Sequence, residues 1–136
     1  MTPEKLCELA KEAMTHAYVP SSGYKGGAAL LCNDGTVYQG CNIENAAYGP
    51  TNCAERTAFF KAVYDGHRDF VSIAVCGGKD GVITGHFPPC GVCRQVMREF
   101  CEDDFTIYMI GPEGYEAVTL ADLLPHSFKA SEHMKA

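Results

Sequence analysis

Two stretches decide how this chain is built: TNCAERTAFF (Thr51–Phe60) and PPCGVCRQV (Pro88–Val96). Each reads as the front of a helix with cysteine in its opening turn, Cys53 in the first and Cys90 and Cys93 in the second. The first N–H groups of a helix have no partner inside it, and the aligned peptide dipoles add partial positive charge there. A thiol placed at such an end ionises more readily. In open α/β sheets, ligands collect beyond the carboxyl ends of strands, where helices begin. Both cysteine-bearing ends are therefore expected to face one crevice.

The flanking sequence supplies the sheet. GGAALLC (Gly26–Cys32) and TVYQGCNI (Thr36–Ile43) surround an Asp-Gly pair and predict a β-hairpin. FVSIAVC (Phe70–Cys76) and FTIYMI (Phe105–Ile110) are short apolar runs that predict buried strands, and Tyr115–Val118 adds an edge strand. A first helix is predicted from Pro3 to about Tyr18, with Thr2 as its N-cap and an apolar face from Leu6, Leu9, Ala10, Ala13, Met14 and Ala17. The second helix spans about Cys53–Tyr64 and the third about Cys90–Cys101. Thr119 and Asp122 frame a last short helix as a capping box. The order α-β-β-α-β-α-β-β-α predicts a three-layer α/β/α fold around a central mixed five-stranded sheet. The 136 residues make a single domain the expectation.

Composition narrows the function. There are 17 acidic residues against 11 basic ones, a net charge of −6, and no basic run. Such a surface repels a phosphate backbone, so no nucleic-acid partner is expected. An uncharged nucleoside is not excluded. The N-terminal MTPEKLCELAKEAM lacks the basic start and apolar run of a signal peptide. No apolar stretch approaches the ~20 residues that span a bilayer. A cytoplasmic protein without a membrane partner is expected. Of the eight cysteines, Cys7, Cys32, Cys41, Cys76 and Cys101 lie among apolar neighbours and are expected to be buried.

The remaining three carry chemistry. Cys90-Gly91-Val92-Cys93 is a CxxC pair without a second CxxC to close a structural zinc site. Cys53 offers a third sulfur. Three protein ligands leave the fourth position of a tetrahedral zinc for water, which is the catalytic arrangement. Three thiolates leave a net charge of −1 around Zn²⁺, and Arg56 and Arg94, each beside a cysteine motif, are expected to offset it. Glu55, two residues past Cys53, does not ligate but is placed to carry a proton. A ligand-x-Glu with a distant Pro-Cys-x-x-Cys is the signature of zinc-dependent base deaminases.

Together with GCNIENAAYGP (Gly40–Pro50), these motifs closely resemble the small homotetrameric zinc-dependent cytidine deaminases. The likeness runs from about Leu6 to Phe128. It implies one zinc per subunit on Cys53, Cys90 and Cys93, with Glu55 as the proton shuttle. It implies that Asn42 and Glu44 hold the ribose, that the Ala54 N–H lies near the base, and that Tyr24 supplies the aromatic beside it. Ala46, Tyr48 and Phe128, with the tail from about residue 126, are implied at contacts with a neighbouring subunit. The implied reaction is hydrolysis of cytidine and 2′-deoxycytidine to the uridine forms and ammonia, in pyrimidine salvage. One region departs from the family: where Tyr-Ser-x-Phe-x-Val-Gly-Ala-Ala is usual, this chain has SSGYKGGAA (Ser21–Ala29).

Plainer readings stand beside these. Asn52-x-x-Glu55 fits a capping box. CxxC alone fits a redox pair. Asn42 and Glu44 fit ordinary turn positions. A related aminopyrimidine nucleoside, such as an antibiotic, is an alternative substrate. A closed structural zinc module, with Cys76 or Cys101 as fourth ligand, is an alternative of another class.

Overall fold

A computed structural model describes residues 1–134. Helix α1 (Pro3–Met14) starts as its sequence dictates. The Thr2 side chain accepts a hydrogen bond from the Lys5 N–H at 3.1 Å, and proline occupies the first turn, where a missing N–H costs nothing. The helix stops at Met14 and does not reach Tyr18. The competing partner is the chain after the hairpin. Tyr18 donates to the Asn42 carbonyl at 3.0 Å and accepts from the Glu44 N–H at 2.9 Å. A backbone paired sideways in this way cannot also continue the helical ladder.

The strands are β1 (Tyr24–Cys32), β2 (Val37–Cys41), β3 (Phe70–Lys79), β4 (Thr106–Gly111) and β5 (Gly114–Thr119). They form one sheet in the order β2-β1-β3-β4-β5. β3 and β4 are parallel and the other neighbours antiparallel. Helix α2 (Ala54–Tyr64) joins β2 to β3, and α3 (Gly91–Phe100) joins β3 to β4. Two short helices, α4 (Leu120–Leu123) and α5 (Ala130–His133), follow β5. The capping box of Thr119 and Asp122 is present in α4.

Side-chain alternation along the strands fills two cores. On one face, Leu6, Ala10 and Met14 of α1 pack on Ala29, Ala74, Cys76 and Ile110. On the other, Phe59 of α2 and Met97 of α3 pack on Leu30, Ile73, Val75 and Ile107. This is the three-layer arrangement expected. Cys7, Cys32, Cys76 and Cys101 are buried, whereas Cys41 is only half-buried and bonds the His16 carbonyl. Among the described residues no helix is long and apolar enough to cross a membrane.

Two glycines set how closely the helices approach the sheet. A Cβ on Gly27 would lie 2.2 Å from the Ala10 carbonyl oxygen, and one on Gly40 would lie 2.3 Å from that of Ala54. Gly40 thereby fixes the height of the α2 start above β2, and with it the position of Cys53. Gly27→Ala is expected to push α1 off the sheet at a cost of about 1–3 kcal/mol. Gly85→Ala, whose Cβ would meet open space, serves as the control. Equal denaturation midpoints for the two variants would contradict this packing.

Candidate active site

Cys53 and Cys90 are the N-caps of α2 and α3, both in extended backbone conformation. Cys93 lies one turn into α3, and its N–H donates to the Cys90 sulfur at 3.4 Å. The sulfurs of Cys53 and Cys90 are 3.7 Å apart, and those of Cys90 and Cys93 are 3.2 Å apart. All three lie within 4.8 Å of one another, and none forms a disulfide.

This sulfur set fits zinc. Two Zn–S bonds of ~2.3 Å at a tetrahedral angle separate their sulfurs by roughly 3.7 Å. The acidities agree. The pKa of Cys53 falls to about 5, chiefly because the Cys93 thiol donates to it, with further help from Arg56. Cys93 is pushed far up, because it lies against the sulfur it serves. One thiolate forms readily, but three together need a cation. Arg56 Nη2 donates to the Cys53 sulfur at 3.4 Å. Arg94 is committed elsewhere: its Nε donates to the Pro89 carbonyl at 2.8 Å and its Nη1 to that of Leu123 at 2.7 Å. It joins the front of α3 to α4, and charge compensation by hydrogen bonding falls to Arg56.

Glu55 lies in the first turn of α2 and is 1% exposed. Neither carboxylate oxygen has a hydrogen-bond partner. Burial pushes its pKa up to about 7, and the Cys53 charge adds to the rise. The capping box that Asn52 and Glu55 spell is absent. Cys53 is the cap, its side chain accepts no bond from the helix N–H groups, and the Asn52 amide donates to the Thr57 hydroxyl at 3.0 Å. A buried acid that caps nothing is an expensive group to keep.

Ile43 brings the polar candidates to this corner. Its backbone exchanges two hydrogen bonds with Asn52, each 2.9 Å, directly before Cys53. Asn42 and Glu44 flank it. The Asn42 side-chain oxygen accepts from the Gly26 N–H and its amide donates to the Tyr24 carbonyl, both at 2.8 Å. The Glu44 carboxylate accepts from the N–H groups of Ser21 at 2.9 Å and Ser22 at 3.1 Å, and from the Ser22 hydroxyl. The Ser22 hydroxyl is the main cause that holds Glu44 below the usual carboxylate range. Both residues therefore organise the Ser21–Gly26 segment and keep spare hydrogen-bonding capacity.

Ala54 is buried at the first position of α2. Tyr24 is half-exposed and stacks on Phe87, with ring centroids 6.2 Å apart. Sequence reasoning passed over Phe87. Its signal was an aromatic residue three places before Cys90, but only the fold shows its partner. A Cβ on Gly77 would lie 2.5 Å from the Phe87 ring and 2.8 Å from that of Tyr24, so both rings rest on bare β3 backbone. Ala46, Tyr48 and Phe128 are exposed and are not drawn to the cysteines.

Comparisons with known proteins follow the same lines. Residues 1–109 match the family model described as the cytidine and deoxycytidylate deaminase zinc-binding region. The chain is 50% identical over 133 residues to a cytidine deaminase of Sporosarcina psychrophila, covering 97% of this chain and 95% of the relative. It is 47% identical to that of Halalkalibacterium halodurans, with 97% and 98% covered. Among solved structures, cytidine deaminase from Burkholderia pseudomallei superposes with a TM-score of 0.87 at 45% identity, covering 94% of this chain and all of that one. The Mycobacterium tuberculosis enzyme gives 0.79 at 36% identity, with 94% and 98% covered.

Cys53→Ser is expected to drop bound zinc well below that of the parent protein while the far-UV circular dichroism is kept. Undiminished zinc in the purified variant would remove Cys53 from the ligand set.

Proposed function

The chain belongs to the cytidine and deoxycytidylate deaminase family, and from that premise we propose that its site hydrolyses the C4 amine of cytidine and 2′-deoxycytidine. The products are the uridine forms and ammonia. Cys53, Cys90 and Cys93 hold one zinc ion. When bound, zinc acidifies water so that a hydroxide nucleophile is present near neutral pH.

The observation that carries this reading is Glu55, a sealed carboxylate without a partner, set in the same helical turn as a metal-binding sulfur. With its pKa raised to about 7, it both takes and gives protons near neutrality, where general acid–base catalysis works best. Glu55 takes a proton from the attacking water and gives it to N3 of the pyrimidine. As oxygen bonds to C4, the ring loses its aromatic C4–N3 double bond. Glu55 then moves the second proton of that water to the amine. The C4–N bond breaks, ammonia leaves and the C4 carbonyl forms.

The other side chains position the substrate. The Ala54 N–H faces the base. Tyr24, seated against Phe87, covers one face of it. Asn42 and Glu44 take the sugar hydroxyls, and Ser21 and Ser22 keep Glu44 ionised for that task. A site built to bond a hydroxyl discriminates against an analogue without it, because its polar groups are left unpaired. The chain works as a single domain within a homotetramer, where Ala46, Tyr48, Phe128 and the tail meet neighbouring subunits. Its setting is pyrimidine salvage in the cytoplasm.

Glu55→Gln is expected to retain zinc and fold and to lose about 10²–10⁴ in turnover. Glu44→Gln is expected to act mainly on KM. The assay is the absorbance change with cytidine, alongside metal analysis. Full turnover in Glu55→Gln would remove Glu55 from the proton transfers, and no turnover in the parent protein would leave only a structural zinc module.

A further inference from the structure

A second knot of donor side chains lies at the opposite end of the sheet. Cys32 is the last residue of β1, Asp34 sits in the β1–β2 turn, and His67 sits in the α2–β3 connection. One donor atom from each lies within 4.8 Å of the other two. Sulfur, carboxylate oxygen and imidazole nitrogen together suit zinc and neighbouring transition metals, not calcium or magnesium. We propose that Cys32, Asp34 and His67 form a second cation site, of zinc-like selectivity, that clamps the β1–β2 turn to the α2–β3 connection.

The surroundings hold the donors in place. The Asn33 N–H donates to the Asp69 carbonyl at 2.9 Å, so the two connections are already tied by backbone. The Cys32 N–H donates to the Thr36 carbonyl at 2.8 Å and the Gly35 N–H to that of Cys32 at 3.0 Å, which fixes the turn. One Asp34 oxygen accepts from the Thr36 N–H at 3.0 Å, and the other faces His67 Nδ1 at 3.8 Å. The Thr36 bonds hold Asp34 below the usual carboxylate range, ready as an anionic ligand. The His67 N–H closes the end of α2 on the Ala62 carbonyl at 3.0 Å, and the imidazole packs edge-on against Tyr38 at 5.3 Å. The Tyr38 hydroxyl is itself held by Asp65 at 2.6 Å.

A loose His67–Asp34 ion pair would account for two of these residues and core packing for Cys32, but neither calls for the three donor atoms to converge within 4.8 Å. Two features make the second site weaker than the three-sulfur one. Its donors must draw together, since a tetrahedral ion spaces them by roughly 3.3–3.8 Å. Burial also pushes the Cys32 thiol up to about 11, so the cation must displace a firmly held proton. The three-sulfur site is free of the first handicap, since its Cys53–Cys90 and Cys90–Cys93 sulfurs already stand 3.7 and 3.2 Å apart.

The test starts from protein whose first site is loaded with zinc, titrated with Co²⁺ while released zinc is measured. The parent protein is expected to take up further cobalt with a thiolate-to-cobalt charge-transfer band, without losing zinc, and to melt at a higher temperature. His67→Gln and Asp34→Asn, both in surface connections, are expected to lose the band and the thermal shift and to keep deaminase activity. Cys32→Ala is expected to do the same where it folds, and the other two variants decide without it. A band that appears only as zinc is released would overturn the proposal, as would one that survives in His67→Gln. Neither outcome bears on the deaminase reading, which rests on other residues.

Discussion

Three thiols that cannot all ionise in one another's company are the constraint on which the rest of this molecule depends. Each helix end lowers the cost of one thiolate, but their mutual repulsion rises as they are brought together. Cys53 and Cys93 express that conflict directly, one driven down and the other up. A divalent cation resolves it, so the corner is complete only with metal. The sheet has to deliver both helix ends to one place for the conflict to exist. It does so because α2 and α3 both start from the same edge, past the carboxyl ends of β2 and β3, where β1 begins. Gly40 admits the front of α2 to close contact with β2. The Ile43–Asn52 bridge then holds the residue before Cys53.

Glu55 follows from the same geometry. A carboxylate one turn from a helix start is ordinarily exposed, and there the macrodipole favours its charge. Here it is sealed under the packing of α2 on the sheet, and desolvation outweighs the dipole. An acid poised near neutrality results from burial that the fold imposes and that outweighs the nearby polar groups favouring its charge. The plainer reading as a capping residue fails because Cys53 occupies the cap. The sulfur needed at the helix end for metal has displaced the residue that would have made Glu55 ornamental.

Much of this was legible in the sequence, because period and spacing are local. The strands, the two cysteine-bearing helix starts and the α4 capping box all announce themselves within a few residues. What was hidden depended on contacts between distant segments. Helix α1 stops short of Tyr18 because residues 42 and 44 claim its backbone, which no helical pattern in residues 3–18 can show. Arg94 reads as a partner for sulfur from its place beside Cys93. Its side chain instead goes to carbonyls of Pro89 and of Leu123, the latter in α4. Phe87 gains meaning only against Tyr24, with Gly77 leaving room beneath both rings. Cys32, Asp34 and His67 are separated by a whole helix and meet through the Asn33–Asp69 backbone bond.

The divergent SSGYKGGAA segment shows how one interaction can take over from another. Glycine at position 26 gives up a side chain that would have stood beside Asn42, since its missing Cβ lies 3.5 Å from the Asn42 amide carbon. Lost packing and added backbone freedom would loosen such a segment. Yet β1 runs unbroken through Gly26, whose N–H is taken by Asn42. Upstream, Glu44 gathers two backbone N–H groups and a hydroxyl, while Lys79 donates to the Ser22 carbonyl. Hydrogen bonds to an ionised group are worth more than neutral ones. Order that packing would otherwise supply is supplied by charge. Glu44 thereby holds the segment that carries Tyr24, and under the proposed function it would also present its carboxylate to the sugar. Under the proposed function, a substrate that drew on that carboxylate would be felt at Tyr24, and sugar and base recognition would be coupled through a single side chain.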